Sequence, residues 1–494
     1  MAPYFLKNWF PKRETRAEAR PLLTVLRELT WLQWAHFFIG WLAWCCDSID
    51  FFSVSLTVPL LVTQFHKNAP SDITTAITLT LLFRPVGALL FGILSDRFGR
   101  KWPLVVNLVV IAALQLGAGF VQTFQQFLAV RSLFGIGMGG IWGLAAATAL
   151  ENLPVEARGL ASGVLQQGYA VGYLLAACIN LKLVPAVAAG WRSLFFTAAG
   201  ISLFTAGVRC LLPESEVFLR AKAAERAGGL DTKTKTRIFF KETKEMLKTH
   251  WMLCIYGVFL MTGFNFLSHG SQDLYPTYLQ VTKNFTSYRA TLATIIGNCG
   301  AVCGGFIAGW VSQYIGRRLT IMIFVCLVAV FIPLWILPST FNSLSAGAFC
   351  LQVGVQGAWG VIPIFLTEIS PTAFRATFPG VMYQLGNMVS SAASQIEATA
   401  GDHLHTTIIK NGKPTPVQDY ATVQGILIGV VCGFVLIVTF FGPENHSSHF
   451  EKAKTAFEEG GGRDELVEDS DVLTERREDS IDNEKAISLR VGKA

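Results

Sequence analysis

Apolar residues in this chain do not alternate with polar ones; they run in long stretches. A bilayer-spanning helix takes about 20 mostly apolar residues, and twelve stretches qualify: residues 31–53, 73–94, 103–123, 126–150, 159–181, 192–212, 250–278, 289–311, 319–340, 344–367, 377–399 and 421–441. Most breaks between them are short. The longest, 214–249, divides the spans six and six. The pattern predicts an all-α membrane protein. Its twelve transmembrane helices form two six-helix bundles, 31–213 and 250–441, joined by a cytoplasmic connector at 214–249. A tail of residues 1–30 precedes the bundles and one of residues 442–494 follows them. Within the connector an amphipathic surface helix is expected around 236–248.

The two halves repeat one another at an offset of 217 residues. Gly92-x-x-x-Asp96-Arg97-x-Gly99-Arg100-Lys101 returns as Gly309-x-x-x-Gln313-Tyr314-x-Gly316-Arg317-Arg318. Gly140-x-Trp142-Gly143 returns as Gly357-x-Trp359-Gly360, and Glu151-x-x-Pro154-x-x-x-Arg158 as Glu368-x-x-Pro371-x-x-x-Arg375. Gapless agreement at so many positions implies parallel repeats about an axis along the membrane normal, the plan of a rocking transporter.

Composition adds orientation. Hydrophobic residues make up 52% of the 494 and charged ones 15%, a membrane balance rather than a soluble one. Of the 40 Lys+Arg, 31 lie in the two tails or at the ends of the even-numbered spans, and seven lie on the opposite side. The positive-inside rule then places both termini in the cytoplasm. The tail from 442 holds 14 acidic and eight basic residues and little apolar content, which predicts a disordered segment open to regulatory proteins. The ten cysteines lie in or beside apolar runs without metal-ligand spacing. No P-loop, metal cluster or nucleophile elbow appears, so neither cofactor, metal nor enzymatic chemistry is expected, and nucleic acid is not an expected partner. The expected partners are the lipid bilayer, a small solute and a proton.

One stretch departs from the apolar pattern. In the seventh span, Asn265-Phe-Leu-Ser268-His269-Gly-Ser271-Gln272-Asp273-Leu-Tyr-Pro-Thr277 stacks Asn265, His269 and Asp273 at i, i+4, i+8 on one helical face. Two readings are open: the face lines a wet cavity at membrane depth, or the helix has reached water by Ser268. The G-x-x-x-D-R-x-G-R-K loop, Arg131-x-x-x-Gly135-x-Gly137-x-Gly139-Gly140 and Pro213-Glu214-Ser215-Glu216 resemble signatures of the major facilitator superfamily over about residues 31–441. The Asn265–Thr277 stretch is similar to the N-x-x-S/T-H-x-S/T-Q-D-x-x-x-T signature of its fungal lactate/pyruvate:proton symporters, near the sialate:proton symporters. The second loop copy departs, with Gln313 and Tyr314 for Asp96 and Arg97. The resemblance implies a plasma-membrane symporter importing a small organic acid anion (lactate or pyruvate, with acetate and propionate as further candidates) with a proton. It also implies that spans 1, 4, 7 and 10 line the cavity.

Transport of an organic anion needs a cation in a dry place, a protonatable group and helix-end locks. Arg84 lies in the middle of span 2, roughly 18 Å deep at 1.5 Å per residue. It either binds the substrate carboxylate or pairs permanently with Asp50 or another buried acid. Arg131 enters span 4 to roughly 9 Å, level with Asp47 and Asp273, and an ion pair is its simplest assignment. Asn265, Ser268, His269 and Gln272 are candidates for substrate binding with Arg84. His269 and Asp273, one turn apart, are candidates for loading the proton, as are Asp47 and Asp50, with Glu397 or the substrate itself as alternatives. Asp96, Arg97, Arg100, Glu151, Arg158, Glu368 and Arg375 cluster at the cytoplasmic helix ends, where charges could pair across the halves and open in turn. Rival readings are a dicarboxylate or sugar-acid permease on the same scaffold, and a nutrient sensor that signals without transport.

Overall fold

The computed structural model describes residues 22–150, 152–215, 218–219, 232–371, 374, 377–410 and 413–444, without the side chains at 96, 97, 155, 156, 158, 232–236, 409, 410 and 413. Eleven helical spans among the described residues are long and apolar enough to cross a membrane. The twelfth crossing is made by two shorter helices, Thr377–Ser390 and Ala393–His403. The fold is therefore the twelve-span, two-bundle architecture. We number the spans in chain order and call the side on which both ends of the bundle emerge the terminal face.

Several boundaries differ from the apolar count. The first span begins at a capping box, where the Thr30 side chain accepts from Gln33 N–H and Gln33 reaches back to the Thr30 backbone. It then continues to Gln64, eleven residues past the expected end, carrying Pro59 inside it. The fourth span breaks at Gly140 and the seventh at Asp273–Leu274, where Pro276 opens the next helix, Tyr275–Val281. Span 11 breaks at Ser391–Ala392 without Pro or Gly nearby to announce it. The loop from span 11 to span 12 forms a hairpin, β1 His405–Lys410 against β2 Lys413–Gln418, with His405 opposite Gln418. This hairpin is the departure from an all-α description among the described residues. We call its side the hairpin face.

The 217-residue repeat is carried into three dimensions at backbone resolution. Spans 2 and 4 approach so closely that a Cβ at Gly87 would meet the Ile136 carbonyl oxygen. At the repeat-related place in spans 8 and 10, a Cβ at Gly304 would meet the Val353 carbonyl oxygen. Only glycine permits such contact. At the terminal face Gly99 and Gly316 adopt φ of 96° and 97°, and their N–H groups cap Ser95 and Ser312 carbonyls at 3.0 and 3.2 Å. Beyond each glycine, Glu214 Oε2 accepts from Lys101 N–H at 3.0 Å, and Glu444 Oε2 accepts from Arg318 N–H at 2.9 Å. Pro213-Glu214 and Pro443-Glu444 are thus structural counterparts, though their offset of 230 hides them from a gapless comparison. The hairpin in the loop from span 11 to span 12 contributes to the difference.

The helix Thr232–Thr249 and residues 371–374 form a separate small unit, in which the Phe239 ring lies 6.2 Å from Phe374 and 5.9 Å from Phe240. The helix covers the expected 236–248 segment. The tails 1–21 and 445–494 lie outside the described residues.

Candidate functional site

The site is built where the long first span and the broken seventh and eleventh spans meet span 2. Every position from Ala43 to Val58 is buried. Within that stretch Asp47 and Asp50 are 0% exposed, and Arg84 of span 2 is 1% exposed. The Arg84 Nη2 lies 3.8 Å from Asp47 Oδ2 and 2.8 Å from Met138 Sδ, and its guanidinium carbon lies 5.3 Å from the Phe51 ring centroid. Neither Asp47 oxygen nor Arg84 Nε has a hydrogen-bond partner. A long ion pair with unmet donors and acceptors is poorly satisfied for a buried one. It leaves guanidinium N–H available to an incoming carboxylate.

Asp50 is not the partner of Arg84. Ser202 Oγ donates to Asp50 Oδ2 at 3.1 Å, and Gln115 Nε2 donates to its carbonyl at 3.4 Å. The ion pair expected for Arg131 is also absent: among the described residues no carboxylate lies within 4.0 Å of it. Its Nη1 donates to Gln115 Oε1 at 3.1 Å, and its guanidinium sits over the Phe134 ring at 4.1 Å. An uncharged amide and an aromatic face hold it, with Asp50 and Asp47 as more distant electrostatic neighbours.

Across the Phe51 ring lies the seventh span. The polar face does not reach water at Ser268: Asn265, Ser268, His269, Gln272 and Asp273 are all at most 3% exposed. His269 Nδ1 lies 3.1 Å from Asp273 Oδ2, its Nε2 lies 3.2 Å from Asn387 Oδ1, and its ring meets Phe51 edge-on at 5.4 Å. Phe51 is therefore a shared neighbour of the guanidinium of one half and the imidazole of the other. Asn265 spends its amide on the Met261 and Tyr383 carbonyls, at 2.8 and 3.3 Å. Ser48, its repeat counterpart, donates to the Tyr169 carbonyl at 2.5 Å. Both side chains staple their span to the fifth helix of their own half. Ser268 donates to Gln272 Oε1 at 3.3 Å, and Gln272 donates to Gln352 Oε1 at 2.8 Å.

Span 11 supplies residues that the sequence analysis did not single out. The Tyr383 hydroxyl lies beside Asn387 of its own span and Arg84 of the other half. Asn387 Nδ2 donates to Gln384 Oε1 at 2.8 Å, and Gln384 Nε2 donates to the Gly139 carbonyl of span 4 at 3.1 Å. Two amides three residues apart inside an apolar run are a legible polar signal at membrane depth. Glu397, further along span 11, is 0% exposed, accepts from Gln424 Nε2 at 3.2 Å and faces Gly270.

Two cavities border this centre. A small one is lined by Gln166, Tyr169, Asn265, Ser268, His269, Trp359 and Tyr383. Toward the terminal face a vestibule of small side chains is lined by Gly92, Gly139, Gly140, Gly143 and Gly380 among others. Two of the gate charges have described contacts within their own half. Glu368 forms a two-pronged bond to Arg317 of its own half, both contacts 3.1 Å, and Arg100 Nη1 donates to the Ser95 carbonyl at 2.9 Å. Glu151 and Arg375, and the side chains of Asp96, Arg97 and Arg158, lie outside the described residues. Neutral groups make contacts between the halves: Gln384 with Gly139, Thr74 with Gln395 at 2.7 Å, and the Tyr173 hydroxyl with the Gln272 carbonyl at 3.2 Å.

Comparison with known proteins is consistent with this geometry. The family profile described as Major Facilitator Superfamily matches residues 40–394. The "carboxylic acid transporter protein homolog" of Saccharomyces cerevisiae is 35% identical over 430 residues, covering 85% of this chain and 69% of that protein. The "sialic acid transporter NanX" of Escherichia coli is 28% identical over 370 residues, covering 72% and 84%. Among solved structures, the xylose transporter XylE from E. coli in a partially occluded inward open conformation superposes with a TM-score of 0.65 at 19% identity, covering 85% of this chain and 100% of that one. That last likeness is one of fold.

Proposed function

The chain belongs to the major facilitator superfamily, and from that premise we propose that it is a proton-coupled symporter importing lactate, pyruvate and related short monocarboxylates across the plasma membrane by alternating access. The observation that carries the reading is that one under-satisfied guanidinium, Arg84, and a protonatable His269 share the same ring as neighbour, each within 5.4 Å of the Phe51 centroid. A single small carboxylate matches one guanidinium. The carboxylic acid and sialic acid relatives, named for acids, support an acid as cargo. The terminal face is cytoplasmic in this reading, because basic residues crowd it.

In the working cycle the substrate carboxylate takes the unpartnered Nε–H of Arg84 and displaces the long contact of its Nη2 with Asp47. Ser268, Gln272 and the backbone-anchored Asn265 shape the polar rim, and His269 with Asp273 carries the proton. Asp47 and Asp50 set the local charge around the arginines. Opening and closing at the terminal face falls to the helix ends carrying Asp96, Arg97, Arg100, Glu151, Arg158, Glu368 and Arg375, with Arg131 bracing span 4 from within. An anion moving with one proton is electroneutral, so uptake follows the pH gradient without the ~2.3 kcal/mol per 100 mV that a net charge would add.

Cells expressing the chain should take up labelled lactate at acid pH, alkalinise the medium as they do so, and lose accumulation when a protonophore is added. His269→Ala should reach the membrane and lose the proton-driven part. Uptake indifferent to the protonophore, or normal in His269→Ala, refutes the coupling. The sialic acid relative favours a sugar-acid permease as a second reading. Stronger competition by gluconate or malate than by pyruvate would select it.

A further inference from the structure

His269 faces an acceptor on both ring nitrogens, and a chain of amides dictates this. The Gly139 carbonyl can only accept, so the Gln384 atom 3.1 Å from it must be the amide nitrogen. Gln384 then presents its oxygen to Asn387, whose nitrogen lies 2.8 Å away. Asn387 in turn presents its oxygen to His269 Nε2 at 3.2 Å, so that nitrogen must carry hydrogen. Nδ1 faces the Asp273 carboxyl at 3.1 Å, and a proton must lie between them, on one partner or the other. Reversing any one amide would set oxygen against oxygen or hydrogen against hydrogen at a buried contact, each an unmet group costing about 1–3 kcal/mol. The anchor of the chain is in span 4, and the other members are in spans 7 and 11, so the chain crosses from one half to the other.

We infer that Gln384 and Asn387 form a proton lock: while the halves meet at Gly139, the amide chain holds His269 and Asp273 in their proton-loaded form. The lock rests on the symporter reading and adds the coupling device to it. Gly139 lines the terminal-face vestibule. When that face opens, Gln384 loses its anchor and both amides can turn over. Asn387 then offers N–H to Nε2, the Nε2–H bond breaks, and the proton passes to water in the vestibule as the carboxylate leaves. Charge stays balanced, one anion with one proton. The titratable or charged groups that face the pair from the packed elements are Asp47 and Arg84 beyond Phe51, Tyr169 and Tyr173 of span 5, and Tyr383 and Glu397 of span 11. None of them contacts His269 Nε2 in place of Asn387. Gln384 is a positioning residue, acting through Asn387.

The test uses the full-length protein reconstituted in lipid vesicles, with two assays. Exchange of labelled for unlabelled lactate needs no net proton movement, whereas accumulation against a pH gradient does, reaching about tenfold per pH unit for one proton per anion. Gln384→Leu should keep exchange within about threefold of wild type while accumulation falls toward onefold. Gln384→Glu imitates the amide only as the protonated acid, which can donate to Gly139 and accept from Asn387. It should accumulate lactate at pH 5 and not at pH 7. Nitrogen-15 spectra of the histidine rings, with His269 assigned through His269→Gln, give a readout independent of transport: the wild type should show hydrogen on Nε2 of His269, facing the Asn387 oxygen, and Gln384→Leu should shift that signal toward a ring without it. Full accumulation by Gln384→Leu, loss of exchange together with accumulation, a Gln384→Glu pH profile parallel to wild type, or an unchanged His269 Nε2 signal each overturns the lock. Failure of the wild type to accumulate lactate, with the His269 shift present, would instead overturn the substrate reading and leave the lock standing.

Discussion

Removing Arg84 should have two consequences that a second substitution can separate. At 3.8 Å from Asp47, with an effective dielectric of about 20, the pair is worth ~4 kcal/mol of Coulomb attraction. Arg84→Ala strands Asp47, which is 0% exposed and has no hydrogen-bond partner. Breaking a buried pair in this way costs about 3–5 kcal/mol. The single variant should therefore unfold at lower temperature and reach the membrane in smaller amount. Arg84→Ala/Asp47→Asn removes both charges and should recover most of that loss. It does not recover the charged hydrogen bond to the substrate carboxylate, worth about 1.5–3 kcal/mol, or about 10- to 150-fold in apparent affinity. The assay combines surface fraction of a tagged protein, thermal unfolding in detergent and lactate uptake against concentration at acid pH. A double variant with wild-type KM would show that Arg84 only balances Asp47. A double variant as unstable as Arg84→Ala would show that the stranded carboxylate is not the source of the instability.

Valine at Gly87 or Gly304 should block assembly, because each backbone touches a carbonyl of the neighbouring span; Gly433→Ala, with nothing within 4 Å, should be tolerated. Surface expression distinguishes them. Burial raises the Glu444 carboxyl above its ordinary 4.5, opposed by the N–H groups of Arg318 and Arg317. The folded state thus favours the protonated form, and stability falls as pH rises from below 4.5 through the raised value. Thermal unfolding from pH 4 to 7 should show that slope in the wild type and a shallower one in Glu444→Gln. Glu397→Gln should retain accumulation driven by a pH gradient, since the proton is assigned to His269 and Asp273; its loss would move the carrier to span 11.

Legibility followed periodicity. Apolar runs long enough to span a bilayer were visible without any contact, because in lipid each helix must satisfy its own backbone. The repeat was visible in part because Gly99 and Gly316 hold a positive φ that disfavours other residues. His269 and Asp273 were visible as an i, i+4 pair. Glu444 was hidden by the shifted offset, and the break in span 11 by the want of Pro or Gly. The expected Arg131 ion pair assumed that equal depth means contact. The helix faces instead turn it toward Gln115 and Phe134.

By itself, then, the order of residues determined the number of spans, their pairing into two like halves and the buried polar face of the seventh. Those properties depend on transfer from water to lipid and on backbone clearance, which act within a helix or between fixed neighbours. Which acid lies beside Arg84 and which oxygen faces His269 depended on the rotation and separation of distant helices. A hydrogen bond is won or lost over less than an ångström, and spacing along a chain does not specify distances between chains of helices to that tolerance. Packing alone brought Gly139, Gln384, Asn387 and His269 into one line.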